Sequence, residues 1–233
     1  MKPIIGIVSR SCKDNEDYSI LYTNNNVVKS IIKCGGIPIL ILPPQDLDYE
    51  EKNPKDIDKL TDENKNDLNR IINMCDGIIM PGGYKWYEYD EYICRYAIDN
   101  NIPILGICAG MQLMAKVLNN DRRNIDDTVK NETNINHSVK GVRYVHSINI
   151  NKESLLYKIL DKEEIEVNSR HNYHVSNELS YLASAYSKDG LIEAIEYNDN
   201  KFALGVQWHP ESMIDYDINA KKIISKLIED SKK

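Results

Sequence analysis

Short, unbroken runs of Ile, Val and Leu alternate along the first half of this chain with longer stretches whose apolar residues recur at helical spacing. The runs are Ile4 to Val8, Ile37 to Leu42, Gly77 to Met80 and Pro103 to Ile107, and none alternates apolar with polar residues as a half-exposed strand would. Each therefore reads as a strand covered on both faces. Helices are expected near residues 22–34, 61–74 and 87–99. The order βαβαβαβ leads to an open, mostly parallel sheet sandwiched by helices, because parallel neighbours need crossover connections.

The second half offers strands at Val145 to Ile150, Ile165 to Val167, Leu182 to Ser184, Ile192 to Tyr197 and Phe202 to Val206, the last two joined as a hairpin through a turn at Asn198 to Asn200. Between the halves, Asn119 to Asn136 is polar and aperiodic and reads as a loop. A C-terminal helix is expected over Ile214 to Ile228. Nothing in the pattern requires a second domain, so residues 1–233 are expected to form one.

Charge and cysteine usage narrow the function classes. With 36 acidic against 29 basic residues, and basic groups no larger than pairs such as Arg122 and Arg123, the chain lacks the clustered Lys and Arg that nucleic acid demands. No apolar run approaches the roughly eighteen residues of a membrane span, and the start, MKPIIGIVSR, has too short an apolar window for a signal peptide. Five widely spaced cysteines are an odd number and suggest reduced thiols, so a cytoplasmic location is expected.

Three stretches carry candidate chemistry. Gly106-Ile107-Cys108-Ala109-Gly110 has the form of a strand-to-helix elbow, in which glycines make room for a nucleophile at a helix N-terminus. The same sequence also suits a core cysteine at a tight turn. Near the other end, His209-Pro210-Glu211 follows a strand, and an extended backbone would let His209 and Glu211 face the same side, the carboxylate holding one ring nitrogen. Met80-Pro81-Gly82-Gly83 ends another strand at the sheet edge where Cys108 should lie; it suits an oxyanion loop and equally an ordinary turn.

PGG, LGICAGMQ and GVQWHPE, in that order, resemble the signature of the class I glutamine amidotransferase-like superfamily. The likeness extends through PIIGIVS, CDGIIMPGG, VNSRHNYHV and GLIEAIEY and is strongest to γ-glutamyl hydrolases of peptidase family C26, the group cleaving γ-glutamyl-γ-aminobutyrate. It implies a flavodoxin-like fold and a γ-glutamyl hydrolase with a Cys-His-Glu triad: Cys108 as nucleophile, His209 as base and Glu211 as its orienting carboxylate. The backbone at Gly83 and Ala109 would form the oxyanion hole. Gly82, Gln112, Ser169, Arg170 and His171 would line the substrate site. The text departs from the family pattern where YKWYEYDEY follows PGG, and where Asn172 and Tyr173 separate His171 from His174.

The partner expected is a small γ-glutamyl compound, with neither nucleic acid nor membrane, and a homo-oligomer is compatible with the chain. No cofactor is expected. No metal is expected either, because His137 and His146 lack an acidic or cysteine partner at ligand spacing and His171 with His174 makes no H-E-x-x-H motif. The alternative function is a glutaminase subunit that delivers ammonia to a separate synthetase. Against it stand the hydrolase-like wording of VNSRHNYHV and the expected lack of an appended synthetase domain.

Overall fold

A computed structural model describes residues 1–119, 128–175, 182–197 and 201–232 of the chain. Arg122, Arg123, the turn at 198–200 and the first part of the polar excursion lie outside them. The first half holds β1 (Ile4–Val8), β2 (Arg10–Lys13), β3 (Ser19–Tyr22), α1 (Asn25–Lys33), β4 (Ile37–Ile41), α2 (Asp62–Ile72), β5 (Gly77–Met80), α3 (Glu88–Asp99), β6 (Ile104–Ile107) and α4 (Ala109–Leu118). There follow β7 (Thr128–Lys130), β8 (His146–Ile150), α5 (Leu155–Leu160), β9 (Glu164–Val167), β10 (Tyr173–Val175), β11 (Leu182–Ser187), β12 (Ile192–Glu196), β13 (Ala203–Val206) and α6 (Ile218–Asp230).

Nine strands form one sheet in the order β4-β1-β5-β6-β13-β12-β11-β8-β9. The β4-β1-β5-β6-β13 half is parallel throughout, and β5 and β6 are buried at every residue, as their continuous apolar character predicts. From β13 outward every pairing is antiparallel, so the expected open α/β sheet joins a parallel half to an antiparallel one. The crossover logic applies only while helices connect successive strands. Among the described connections beyond α4, β11 and β12 are joined by a short turn, and antiparallel neighbours are the short-range solution. The expected hairpin is present as β12 and β13, with Ala194 opposite Val206.

Helices cover both faces. On one, Leu68 and Ile72 of α2, Ile93 and Cys94 of α3, and Met111, Leu113 and Met114 of α4 form a buried cluster with Ile78 and Ile104. On the other, Val27 and Ile31 of α1, Leu156 and Leu160 of α5, and Ile223, Ile224 and Leu227 of α6 pack on Ile7, Leu105 and Val206. Local signals set the helix starts. Thr61 and Asn64 make a reciprocal capping box at α2, and Asn24, Ser154 and Asp217 cap α1, α5 and α6.

Sequence reading passes over three small features. The β2-β3 hairpin pairs Arg10 with Tyr22, but β3 is exposed at each residue and so carries no burial pattern. The β7-β10 ladder has only three residues in each strand. The helix α5 has six residues, too few to show a period.

Candidate functional site

The parallel pairing of β6 with β13 brings together residues one hundred apart in sequence. Gly106 lies opposite Gly205 and Ile107 opposite Val206, and the Cys108 N–H donates to the Val206 carbonyl at 2.8 Å. Both strands end at this edge, so Cys108 at the head of α4 and Gln207 to His209 after β13 emerge side by side. This is the carboxyl edge of an open α/β sheet, where ligands characteristically bind.

Cys108 occupies a strained turn, with φ 52° and ψ −108°. Such a conformation in a residue bearing a Cβ is characteristic of a nucleophile elbow. Its glycines serve close packing: a Cβ on Gly110 would lie 1.9 Å from the Met80 carbonyl oxygen, and one on Gly106 2.6 Å from Met114 Sδ. Cys108 is 8% exposed, and Gln207 Nε2 approaches its sulfur at 3.7 Å. Ala109 is the first residue of α4, where an N–H has no intrahelical acceptor.

His209 is fixed by its backbone and its ring. Asn168 clamps it with two hydrogen bonds, receiving one at Oδ1 from the His209 N–H (2.8 Å) and donating one from Nδ2 to its carbonyl (2.9 Å). The ring Nδ1 donates to Glu211 Oε1 at 2.8 Å. The meeting of His209 and Glu211 arises differently from expectation. Pro210 begins a single 3-10 turn over Pro210–Ser212, and this turn brings the buried carboxylate back to the ring, where an extended strand was anticipated. Burial lowers the His209 pKa, but the Glu211 charge, joined by Cys108 as hydrogen-bond and charge partner, lifts it to about 10. Glu211 shifts the other way: burial raises its pKa, and the neighbouring His209 outweighs that effect and lowers it.

Gly82 sits between these groups, since a Cβ there would be 2.9 Å from His209 Cε1 and 3.5 Å from Cys108 Cβ. Its neighbour Gly83 lies against Arg10, whose Cδ would be 2.9 Å from an added Cβ. Arg10 holds the loop from below. It donates from Nε (3.3 Å) and NH2 (2.8 Å) to the Pro81 carbonyl and from NH1 to Asp90 Oδ1 (2.6 Å), while Asp90 Oδ2 accepts from the Tyr87 N–H at 2.7 Å. Sequence reading missed Arg10, Asp90, Asn168 and Gln207. A signal existed for the pair alone, in an arginine directly after a buried strand and an aspartate on the inner face of α3.

The residues expected to line a substrate site have varied surroundings. Gln112 Nε2 donates to the Tyr173 carbonyl (2.9 Å) and to Gln207 Oε1 (3.3 Å). Ser169 Oγ donates to the His137 carbonyl at 2.7 Å. Arg170 NH2 donates to Ser212 Oγ at 2.7 Å and stands 3.8 Å from Glu211 Oε1. In the YKWYEYDEY stretch, Tyr87 and Tyr89 are buried on Tyr49 while Tyr84 is fully exposed.

His171 joins another group. His137, His146, His171 and Glu193 converge, their potential ligand atoms all within 4.8 Å of one another. Glu193 Oε1 lies 3.3 Å from His137 Nδ1, 3.4 Å from His146 Nε2 and 3.5 Å from His171 Nε2. This corrects the expected γ-glutamyl hydrolase with a Cys-His-Glu triad as its cluster of ionisable side chains. The compact cluster is three histidines and a glutamate, and none of the five cysteines belongs to it. It also supplies the acidic partner that spacing along the chain did not offer to His137 and His146. They come from a loop, the start of β8, a second loop and the second position of β12, so linear spacing cannot reveal them. One trace was legible: Glu193 interrupts the apolar run LIEAIE of a strand buried at every position.

Among the described residues no helix is long and apolar enough to cross a membrane. A glutamine amidotransferase-like protein of Rickettsia prowazekii is 28% identical, the match covering 94% of each chain. The CTP synthase of Mycoplasma capricolum is 29% identical over 64% of this chain, which spans about a third of that enzyme (33%). Among solved structures, the glutaminase domain of Trypanosoma brucei CTPS, with bound acivicin, superposes with a TM-score of 0.66 at 18% identity, covering 98% of this chain and 93% of that one; at that identity the likeness shows the fold. The family model described as Peptidase C26 matches residues 87–211, more than half of the chain, from the start of α3 through the turn that carries His209 and Glu211. The chain therefore belongs to the peptidase C26 family, within the class I glutamine amidotransferase-like fold.

Proposed function

We propose that this chain is a glutaminase of the amidotransferase type, releasing ammonia from the side-chain amide of glutamine for use by a separate synthetase. The observation that carries the reading is the strained turn at Cys108, held at the head of α4 and at the sheet edge beside a histidine of raised basicity. The relatives lean the same way, since a glutamine amidotransferase-like protein and CTP synthases are among them.

In this reading His209, at its raised pKa, already carries the proton it shares with Cys108 when Sγ attacks the amide carbon, and the resulting tetrahedral oxyanion faces the Ala109 N–H and the Gly82-Gly83 backbone. Collapse breaks the C–N bond, with His209 returning the proton to the leaving nitrogen, and ammonia departs from a thioester. Water then adds to the thioester, giving up a proton to His209, and glutamate leaves as the thiol is restored. Glu211 holds the ring in the tautomer that faces the sulfur and stabilises its protonated form. Asn168 fixes the position of the backbone that carries it.

Release of ammonia and glutamate from glutamine, compared with release from a panel of other γ-glutamyl amines, tests this. Glutamine is expected to be the best substrate, and Cys108→Ala is expected to lower turnover by at least about 10³-fold while leaving the thermal midpoint unchanged within a few degrees. Undiminished turnover in that variant, or stronger turnover of the other amines, would overturn the proposal.

A further inference from the structure

The His137, His146, His171 and Glu193 cluster has a feature that ordinary packing does not explain. Each imidazole is anchored on its outer nitrogen: His137 Nε2 donates to Asp189 Oδ2 at 2.9 Å, His146 Nδ1 to the Ser147 carbonyl at 3.2 Å, and His171 Nδ1 to the Tyr173 carbonyl at 3.0 Å, nearer than the Asn131 Nδ2 that stands 3.3 Å from the same nitrogen. Those acceptors place the proton on the outer nitrogen and leave a lone pair on the inner one. Among the described residues, the three inner nitrogens and both Glu193 oxygens are buried and find no hydrogen-bond partner of good geometry. Four sets of lone pairs thus face one another, with the side chains 0%, 5%, 1% and 0% exposed.

An arrangement of that kind needs positive charge at its centre. A proton can bridge only one nitrogen to the carboxylate, and protonating all three rings would bury several charges around one glutamate. A divalent ion satisfies all four groups at once. For nitrogen and oxygen ligands at about 2.0–2.1 Å, tetrahedral geometry requires ligand-to-ligand separations of about 3.3 Å. The three separations involving Glu193 Oε1 are 3.3, 3.4 and 3.5 Å, and all four ligand atoms lie within 4.8 Å of one another, so the rings need only draw inward around the ion.

We infer that His137, His146, His171 and Glu193 form a closed four-ligand site for a divalent transition metal of the zinc class, with a structural role. The donor set of imidazoles and one carboxylate suits zinc over calcium or magnesium, which take oxygen. Four protein ligands and near-complete burial leave no position for a reacting water, which distinguishes the site from a catalytic zinc. The outer partners, a carboxylate and two backbone carbonyls, are those that orient metal-ligating histidines.

The ion would tie four distant segments together. It would also steady the loop from Asn168 to His171, whose first residue clamps His209. The Tyr173 carbonyl that anchors His171 accepts from Gln112 as well, and Gln112 reaches Gln207 beside Cys108. The inference does not depend on the glutaminase reading, because it concerns metal content and stability.

The test uses untagged full-length protein, purified from cells grown with added zinc and analysed for metals. About one metal ion per chain should survive dialysis and be removed by a strong chelator at mildly acidic pH, where the ligands protonate. Returning zinc should raise the thermal midpoint by roughly 5–10 °C, the scale expected of a ligand well above its Kd for a chain of this size. Cobalt added to the metal-free protein should give the intense visible bands of a tetrahedral ion, and His146→Ala, at the most accessible of the four positions, should abolish them. Substoichiometric metal together with no cobalt bands and no thermal shift would overturn the proposal, as would cobalt bands that persist in His146→Ala. Should that variant fail to fold, the cobalt spectrum and zinc-dependent midpoint of the wild-type chain decide the matter alone.

Discussion

Asp90→Ala removes one half of a buried ion pair and leaves the other half in place. The carboxylate is fully buried and the Arg10 side chain only 6% exposed, so the guanidinium would keep its bonds to the Pro81 carbonyl but lose its counterion. Stranding a buried charge costs about 3–5 kcal/mol, and the lost acceptor for the Tyr87 N–H at the start of α3 acts in the same direction. For a chain of this size that corresponds to a fall in thermal midpoint on the order of 10 °C. The double variant Arg10→Met with Asp90→Leu deletes both charges and should return to within about 1–2 kcal/mol of wild type, since apolar replacements of buried pairs are often neutral. Its glutamine turnover should stay low all the same, because the Gly82-Gly83 loop has lost the donors that hold Pro81. Urea and thermal unfolding give the first two quantities, and ammonia release the third. A loss of under about 1 kcal/mol in Asp90→Ala, or a double variant no more stable than the single one, would refute the reasoning.

Two further outcomes follow from the geometry around His209. Its folded-state pKa of about 10 lies above the usual 6.5, so the protonated ring stabilises the fold fully below about 6.5 and that contribution is lost as pH rises toward 10. Urea unfolding from pH 6 to 10 should therefore show declining stability, with a shallower decline in Glu211→Gln; equal slopes would show that Glu211 does not set the shift. Gly82→Ala places a methyl 2.9 Å from His209 Cε1, and the displaced ring should lower turnover about 10- to 100-fold while stability falls by no more than about 2 kcal/mol. Unchanged turnover would mean that the ring moves aside freely.

What could be read beforehand follows from what is local. The buried strands Ile4–Val8, Gly77–Met80 and Ile104–Ile107 announce themselves by unbroken apolar runs, because a strand covered on both faces must be apolar at every position. Cys108 was conspicuous for a similar reason: the glycines two residues to either side mark where backbone and helix approach too closely for any Cβ. Helix caps and the β12-β13 hairpin are likewise written in a few adjacent residues. The antiparallel half of the sheet was not, since strand direction depends on which neighbours finally pair.

Convergence across the fold was beyond the reach of residue spacing. Arg10 meets Asp90 across 80 positions, and Asn168 meets His209 across 41. The histidine cluster draws on four separate segments, and its members gain a common centre only when two loops, β8 and β12 are packed together. Order along the chain suffices for the strand-helix alternation and for the residue types at the head of α4. Tertiary structure decided which distant groups share a low-dielectric space, because electrostatic coupling and metal geometry depend on separation in ångströms and not on separation along the chain.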